Sequence, residues 1–314
     1  MPGRPAPLAL PTSYADLGLQ QLKVSNHPAN APGVTPIQIV TLYRPNNHNA
    51  FTMVMRTEME DLWGMFDVDD RVKVIICTGH GRMFCAGADL DTGFHQTGET
   101  VNDHRDGGGR VAMAIHRCRK PTIGALNGSA VGIGITMTLP MAIRIAYKDA
   151  KIGFVFARRG LVMEAASSFF LPKLIGNAKT MHLITTGSVY RASDKLYEGL
   201  FTETLERADD VLPRAIELAS EIADNCSNVS WALMRDLIWR PTNSAEEQHL
   251  LDSRIIYHMF STADNKEGVK SFMEKRQVNF KGTLETDAPS AYPWWTPIDI
   301  TPRAAGRLPG GAKL

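Results

Sequence analysis

The sequence predicts an α/β chain with a helical C-terminal region. Three observations carry that reading. Short β-branched runs alternate with amphipathic helical patterns through the first two thirds of the chain. Four helical patterns follow after about residue 211 with no strand among them, and residues 288–314 are proline-rich. Strands that alternate with helices pair in parallel, because each return crossing is made by a helix.

Taken in order, residues 35–43 (TPIQIVTLY) read as a strand, closed by the turn signal Arg44-Pro45-Asn46-Asn47. Phe51, Val54, Met55, Met59, Leu62, Trp63 and Phe66 recur at steps of three and four and predict an amphipathic helix. Residues 72–78 (VKVIICT) form a short apolar run bounded by charge and by Gly79, as a buried strand does. A helix is expected over about 110–118, then strands at 122–126 and 141–147. The polar, glycine-rich 92–110 segment reads as a mobile loop beside a binding pocket. The later helices are placed at 211–224, 229–239, 246–260 and 266–275. Trp294 and Trp295 in the tail are expected to cover an apolar surface.

Composition narrows the function classes. The 314 residues carry 34 Lys+Arg against 33 Asp+Glu, so no broad electrostatic drive toward nucleic acid or an anionic membrane exists. Residues 121–143 lack charge over a span of membrane-crossing length, but four glycines, Pro140 and several polar side chains mark a buried segment of a soluble enzyme. Four scattered cysteines without a CxxC pair exclude a disulfide scaffold and a zinc ribbon, and predict reduced thiols. The proline-interrupted first residues do not read as a secretory signal. The nine histidines show no metal-binding spacing, and no GxSxG elbow is present.

Two glycine-containing segments can hold a ligand against the backbone: 81–90 (GRMFCAGADL) and 127–136 (NGSAVGIGIT). A dinucleotide fingerprint is a weak reading of the second, because Met137 occupies the third glycine position and Pro140 shortens the helix. Tight packing of strand against helix explains the second segment at least as well when it is taken alone.

Together with their surroundings, these segments resemble the crotonase (enoyl-CoA hydratase/isomerase) superfamily. Arg44-Pro45 with Asn49-Ala50, FCAGADL at 84–90, KPTIGALNGSAVGIG at 120–134, GLVMEAASSFFLPKLIG at 160–176 and EGVKSFMEKR at 267–276 occur in the family's order. The resemblance implies a crotonase-like ββα spiral core, residues 14–210, followed by a helical oligomerisation region, 211–282, and an extended tail, 283–314. It implies an acyl-CoA thioester as substrate, with CoA part of that substrate and no separate cofactor, and a homotrimer or hexamer. The last residues, Ala312-Lys313-Leu314, resemble a peroxisomal address read by an import receptor, which would place the protein in the peroxisome.

The same resemblance assigns roles. The N–H groups of Ala86 and Ile133 are expected to hold the thioester oxygen as an enolate forms. Ala50, Gly87, Ala88, Asp89, Leu90, Gly132 and Phe156 line the substrate, and Phe272 and Lys275 hold the nucleotide end of CoA. The two glutamates of the family's hydratases align with Thr136 and Phe156, neither of which exchanges protons. Glu164 matches the single catalytic glutamate of a branch of the Δ3,Δ2-enoyl-CoA isomerases, with burial beside Phe156, Leu161 and Val162 raising its proton affinity. A double-bond shift is therefore the expected reaction, with hydration as the alternative and a silent acyl-CoA-binding trimer as the non-enzymatic one. Without the resemblance, Glu164 reads as a first-turn helix residue complementing the dipole.

Overall fold

The structure, a computed structural model, describes residues 9–91 and 100–301. The tripeptide at 312–314 and the 92–99 part of the expected loop lie outside the described residues.

The chain begins with β1 (Leu22–His27), which pairs antiparallel with β2 (Ile37–Leu42). Then α1 (Met53–Val68) starts at Thr52, whose hydroxyl accepts from the Met55 N–H, and buries Met55, Met59, Leu62, Trp63 and Phe66. Next come β3 (Val74–Gly79), buried along its whole length, and the short β4 (Met83–Cys85). A strand covered on both faces reads as a continuous apolar run, which is why it is legible in VIICTG. After it, α2 (Gly107–Arg117) leads to β5 (Thr122–Leu126), β6 (Ser129–Val131) and the single turn α3 (Ile133–Thr136). The next round is β7 (Ile143–Tyr147), β8 (Lys151–Gly153), α4 (Ser167–Ile175) and α5 (Asn177–Thr186). Two short strands, β9 (Val189–Arg191) and β10 (Glu203–Leu205), complete the sheets.

Among the described residues the strands make two sheets, ordered β1-β2-β3-β5-β7-β10 and β4-β6-β8-β9. The chain visits them in turn: β3 then β4, β5 then β6, β7 then β8, each pair followed by a helix. Every such turn adds one parallel strand to each sheet, which is a ββα spiral. The core lies between the sheets and α1, α2 and α4, around Trp63, Phe66, Phe84, Phe154 and Phe170.

The C-terminal helices are α6 (Val211–Asn225), α7 (Asn228–Trp239), α8 (Ala245–Met259), α9 (Ala263–Glu274) and the short α10 (Leu284–Asp287). Along α6, Val211, Ala215, Ala219 and Ala223 face Ile39, Ile76 and Ile123, so this helix covers the outer face of the larger sheet. Small alanines let it lie close. Trp294 packs with Val229, Leu233, Leu251 and Ile255, and donates its ring N–H to the Arg240 carbonyl at 3.0 Å. None of the helices in the described residues is long and apolar enough to cross a membrane.

One expectation needs correction. Gly107, Gly108 and Gly109 are not loop residues but the first turn of α2, capped by the Asp106 carboxylate. Val269, Phe272 and Met273, which have core spacing, lie on an exposed face of α9.

Candidate active site

The site forms where β4 and β6 end side by side. These strands are parallel, with Cys85 opposite Ala130, so the residues beyond them emerge together. A Cβ on Gly87 would stand 3.1 Å from the Val131 carbonyl oxygen, which places the two loops in contact.

Hydrogen bonding decides which N–H groups in the first loop are available. The Ala86 N–H donates to the His48 carbonyl at 3.1 Å. Phe51 donates to the Gly87 carbonyl at 2.8 Å, and Asp89 donates to the Phe51 carbonyl at 2.9 Å. Between them, the Ala88 N–H has no acceptor among the described residues. The assignment of Ala86 as an oxyanion donor is therefore corrected: its hydrogen is committed to a neighbouring loop, and Ala88 carries the open donor.

In the second loop, Gly132 adopts φ 53°, ψ −128°, a conformation that excludes a side chain at low cost. Its own N–H donates to the Gly153 carbonyl at 2.9 Å, and its carbonyl accepts from Ile135 and Thr136. Ile133 opens α3, where the first N–H groups have no intrahelical partner, and its N–H has no acceptor among the described residues. Ala88 and Ile133 each lie three residues past the Cys85–Ala130 pair.

Asn49 fixes the first loop. It is fully buried, accepts from the Arg44 N–H at 2.9 Å and donates to the His80, Met83 and Phe84 carbonyls. Arg44 donates to the Ala50 carbonyl and pairs with Asp89 at 2.7 Å, which holds the Asp89 carboxyl below the usual carboxylate range. Asp89 thus orients the loop. Leu90 is exposed at its rim.

Glu164 comes from the turn that precedes α4. Its carbonyl accepts from the Ser167 N–H at 2.9 Å and from the Ser167 hydroxyl, and Ala165 and Ala166 follow at φ 56° and 51°. Left-handed backbone costs a non-glycine residue roughly 1–2 kcal/mol, so the turn is held by its surroundings. The Glu164 carboxyl points inward, where Oε1 accepts from the Thr136 hydroxyl at 2.5 Å. Oε2 lies against Gly108: a Cβ there would fall 1.7 Å from Oε2 and 2.6 Å from Cδ1 of Ile133. Carboxyl, open N–H and α3 therefore share one spot.

Burial pushes the Glu164 carboxyl up to about 7; the Thr136 hydrogen bond pulls it down and the Asp106 charge pushes it further up. The shielding expected from Leu161 and Val162 is not what the structure shows, since they are 39% and 85% exposed. Gly108, Ile133 and Thr136 enclose the carboxyl instead, and Phe156 is buried at the start of the following turn. The Cys85 thiol faces the same region, but burial lifts it to about 12 and removes it as a nucleophile. Phe272 and Lys275 stay exposed at the end of α9, where Lys275 caps the helix at φ 52°; among the described residues no contact of theirs leads to Glu164.

Asp106 is the residue that sequence reasoning missed. An Asp before a helix start is a recognisable cap, but its second contact, to the Ala165 N–H at 3.2 Å, spans 59 positions. Chemically, two open N–H groups can hold an oxygen that gains negative charge, while a carboxyl that titrates near neutrality moves a proton beside it.

Comparison with known proteins is consistent with that chemistry. A family model described as "Enoyl-CoA hydratase/isomerase" matches residues 34–283. The chain is 50% identical over 272 residues to an enoyl-CoA hydratase of Alternaria alternata (AKT3-2), covering 87% of this chain and 90% of that one. It is 28% identical over 247 residues to a mevalonyl-coenzyme A hydratase of Aspergillus fumigatus, covering 78% and 91%. Among solved structures, a probable enoyl-CoA hydratase/isomerase from Mycobacterium abscessus superposes with a TM-score of 0.73 at 29% identity, over 79% of this chain and 96% of its own.

Proposed function

The chain belongs to the enoyl-CoA hydratase/isomerase family of the crotonase superfamily, and we propose that it adds water reversibly to the conjugated double bond of an enoyl-CoA thioester. The observation that carries the reading is the buried Glu164 carboxyl, seated beside two uncommitted N–H groups. In this reading the thioester oxygen lies on the Ala88 and Ile133 N–H groups. Preorganised donors of this kind are worth roughly 3–4 kcal/mol each to a transition state. Water attacks C3, Glu164 takes its proton, the electron pair moves onto the thioester oxygen as an enolate, and Glu164 returns the proton at C2. One carboxyl closes the cycle. CoA is held as part of the substrate and no separate cofactor enters.

Hydration takes precedence over the double-bond shift expected from the sequence because relatives at about half identity are called enoyl-CoA hydratases. The double-bond shift remains the second reading, favoured by the side chains at the two hydratase positions, Thr136 and Phe156. It uses the same parts: Glu164 removes a proton from C2 and returns it at C4. Membership also supports a homotrimer or a dimer of trimers, which would cover the exposed apolar side chains of α7 to α9.

The test offers the purified protein 2-enoyl- and 3-enoyl-CoA thioesters of several chain lengths. Ultraviolet absorbance of the conjugated thioester should fall with the 2-enoyl substrate, and Glu164→Gln should lower the rate by roughly 100-fold or more. Undiminished turnover by the Gln variant removes Glu164 from the mechanism. Conversion of the 3-enoyl substrate without hydration replaces the first reading by the second.

A further inference from the structure

Asp106 makes two hydrogen bonds through one oxygen. Its Oδ1 accepts from the Gly109 N–H at 2.5 Å, closing the first turn of α2, and from the Ala165 N–H at 3.2 Å. Its Oδ2 has no partner among the described residues. The first contact is a helix cap of ordinary kind. The second reaches the residue directly after Glu164, at the start of the pair Ala165-Ala166, both left-handed and neither glycine. Such a pair persists only where neighbours over-determine it. Ser167 holds it from one side through the Glu164 carbonyl, and Asp106 holds it from the other.

The glycines of α2 fit the same arrangement. Glycine is a poor helix former, yet the first turn has three in a row. A Cβ on Gly108 would collide with Oε2 of Glu164, and one on Gly109 would fall 2.4 Å from Oδ2 of Asp106. Consecutive glycines thus seat two carboxyls from separate segments side by side on one helix turn.

We propose that Asp106 is a positioning residue for Glu164, tying the turn that carries it to the first turn of α2 and fixing where its carboxyl stands relative to the Ile133 N–H. The proposal rests on Glu164 being the proton carrier of the preceding section. Asp106 also acts by charge. Among the described residues, the groups facing the Glu164 carboxyl are Asp106 from α2, the Thr136 hydroxyl from α3 and the Cys85 thiol at the end of β4. Thr136 is uncharged, and Cys85, lifted to about 12, stays neutral at working pH. The negative charge that favours the protonated form of Glu164 is that of Asp106.

Two variants separate anchor from charge. Asp106→Asn keeps an acceptor oxygen and removes the charge. Its turnover at its own optimum should stay within a few-fold of the parent, while the limb of the kcat–pH profile set by Glu164 moves to lower pH by up to about one unit. Asp106→Ala removes both, and should lower kcat roughly 10–100-fold through a misplaced carboxyl, with KM changing less. A parent-like kcat and an unmoved limb in the Ala variant overturn the proposal. If that variant does not fold, Asp106→Ser, whose shorter side chain can still cap the first turn of α2 but gives up the reach to Ala165, takes its place, and a parent-like kcat there overturns the proposal. Glu164→Gln is measured alongside: full activity there sinks the proton-carrier reading, whereas an inactive Gln variant beside two parent-like Asp106 variants sinks only the role of Asp106.

Discussion

At the scale of single residues, the site holds an ionisable group at the expense of stability. A Glu164 carboxyl raised from 4.5 to about 7 binds its proton more tightly folded than unfolded. Its effect on stability follows from linkage: between those values the folded state carries more protons, so stability falls as pH rises through the window and stays lowered above it. Glu164→Gln should therefore leave the urea midpoint unchanged near pH 4 and raise stability above pH 7, by an amount on the order of 2–3 kcal/mol. Equal stability of the two proteins at pH 8 would show that the carboxyl is not held in a desolvated state. Glu164 was legible in the sequence through its place in a family motif. Ala88 and Asp106 were not, for a shared reason: their roles depend on contacts with distant segments. Only the fold reveals that the Ala86 hydrogen is already taken by His48, and only the fold brings Asp106 to Ala165.

At the scale of elements, α2 shows a helix built for its neighbours. Replacing Gly108 by alanine should add about 1 kcal/mol of helix propensity. The new methyl would meet two flexible groups, the Glu164 carboxyl and the end of Ile133, which can turn aside. The expected outcome is a fold at least as stable as the parent's, by thermal midpoint, with turnover lowered at least tenfold as the carboxyl is displaced. Loss of stability together with activity would mean that the glycine serves packing instead. The elements differ in how much the sequence disclosed. In the larger sheet β2, β3, β5 and β7 bury enough apolar side chains to be read directly, as does α6, whereas β1 and β10 bury too few, and α9 is legible only from a helical spacing whose apolar side chains stay exposed. The strands of the smaller sheet, only three residues each, are too short to carry a period, and α4 is masked by its central Pro172. The glycine run at the start of α2 read as a loop because propensity there was overridden by the carboxyls it accommodates.

At the scale of the whole molecule, the C-terminal helices leave large apolar side chains exposed in a lone chain. Ile238 on α7 is 73% exposed and Tyr257 on α8 is 79% exposed, alongside Phe260 and Phe272. Exposed apolar side chains gathered on neighbouring helices mark an interaction surface. With self-association as the occupant, sedimentation at micromolar concentration should report a trimer or a multiple of it. Replacing Ile238 and Tyr257 together by Asp should shift the protein toward monomers while preserving its circular dichroism. A parent that sediments as a monomer would refute the assembly. The near-equal numbers of basic and acidic residues agree with a protein that recognises its anionic substrate locally.

The parallel pairing of Cys85 with Ala130 has a consequence for how such an enzyme can change over time. Because both open N–H groups are main-chain and are spaced by a strand register, their placement is insulated from side-chain substitution. Position 133 can hold isoleucine while its N–H remains where the strand end puts it. Side chains around the two N–H groups are thereby free to vary, and on the proposed mechanism a new acyl group can be accommodated without disturbing the two donors. Selection can act on the walls of the pocket and on its chemistry as two nearly independent traits.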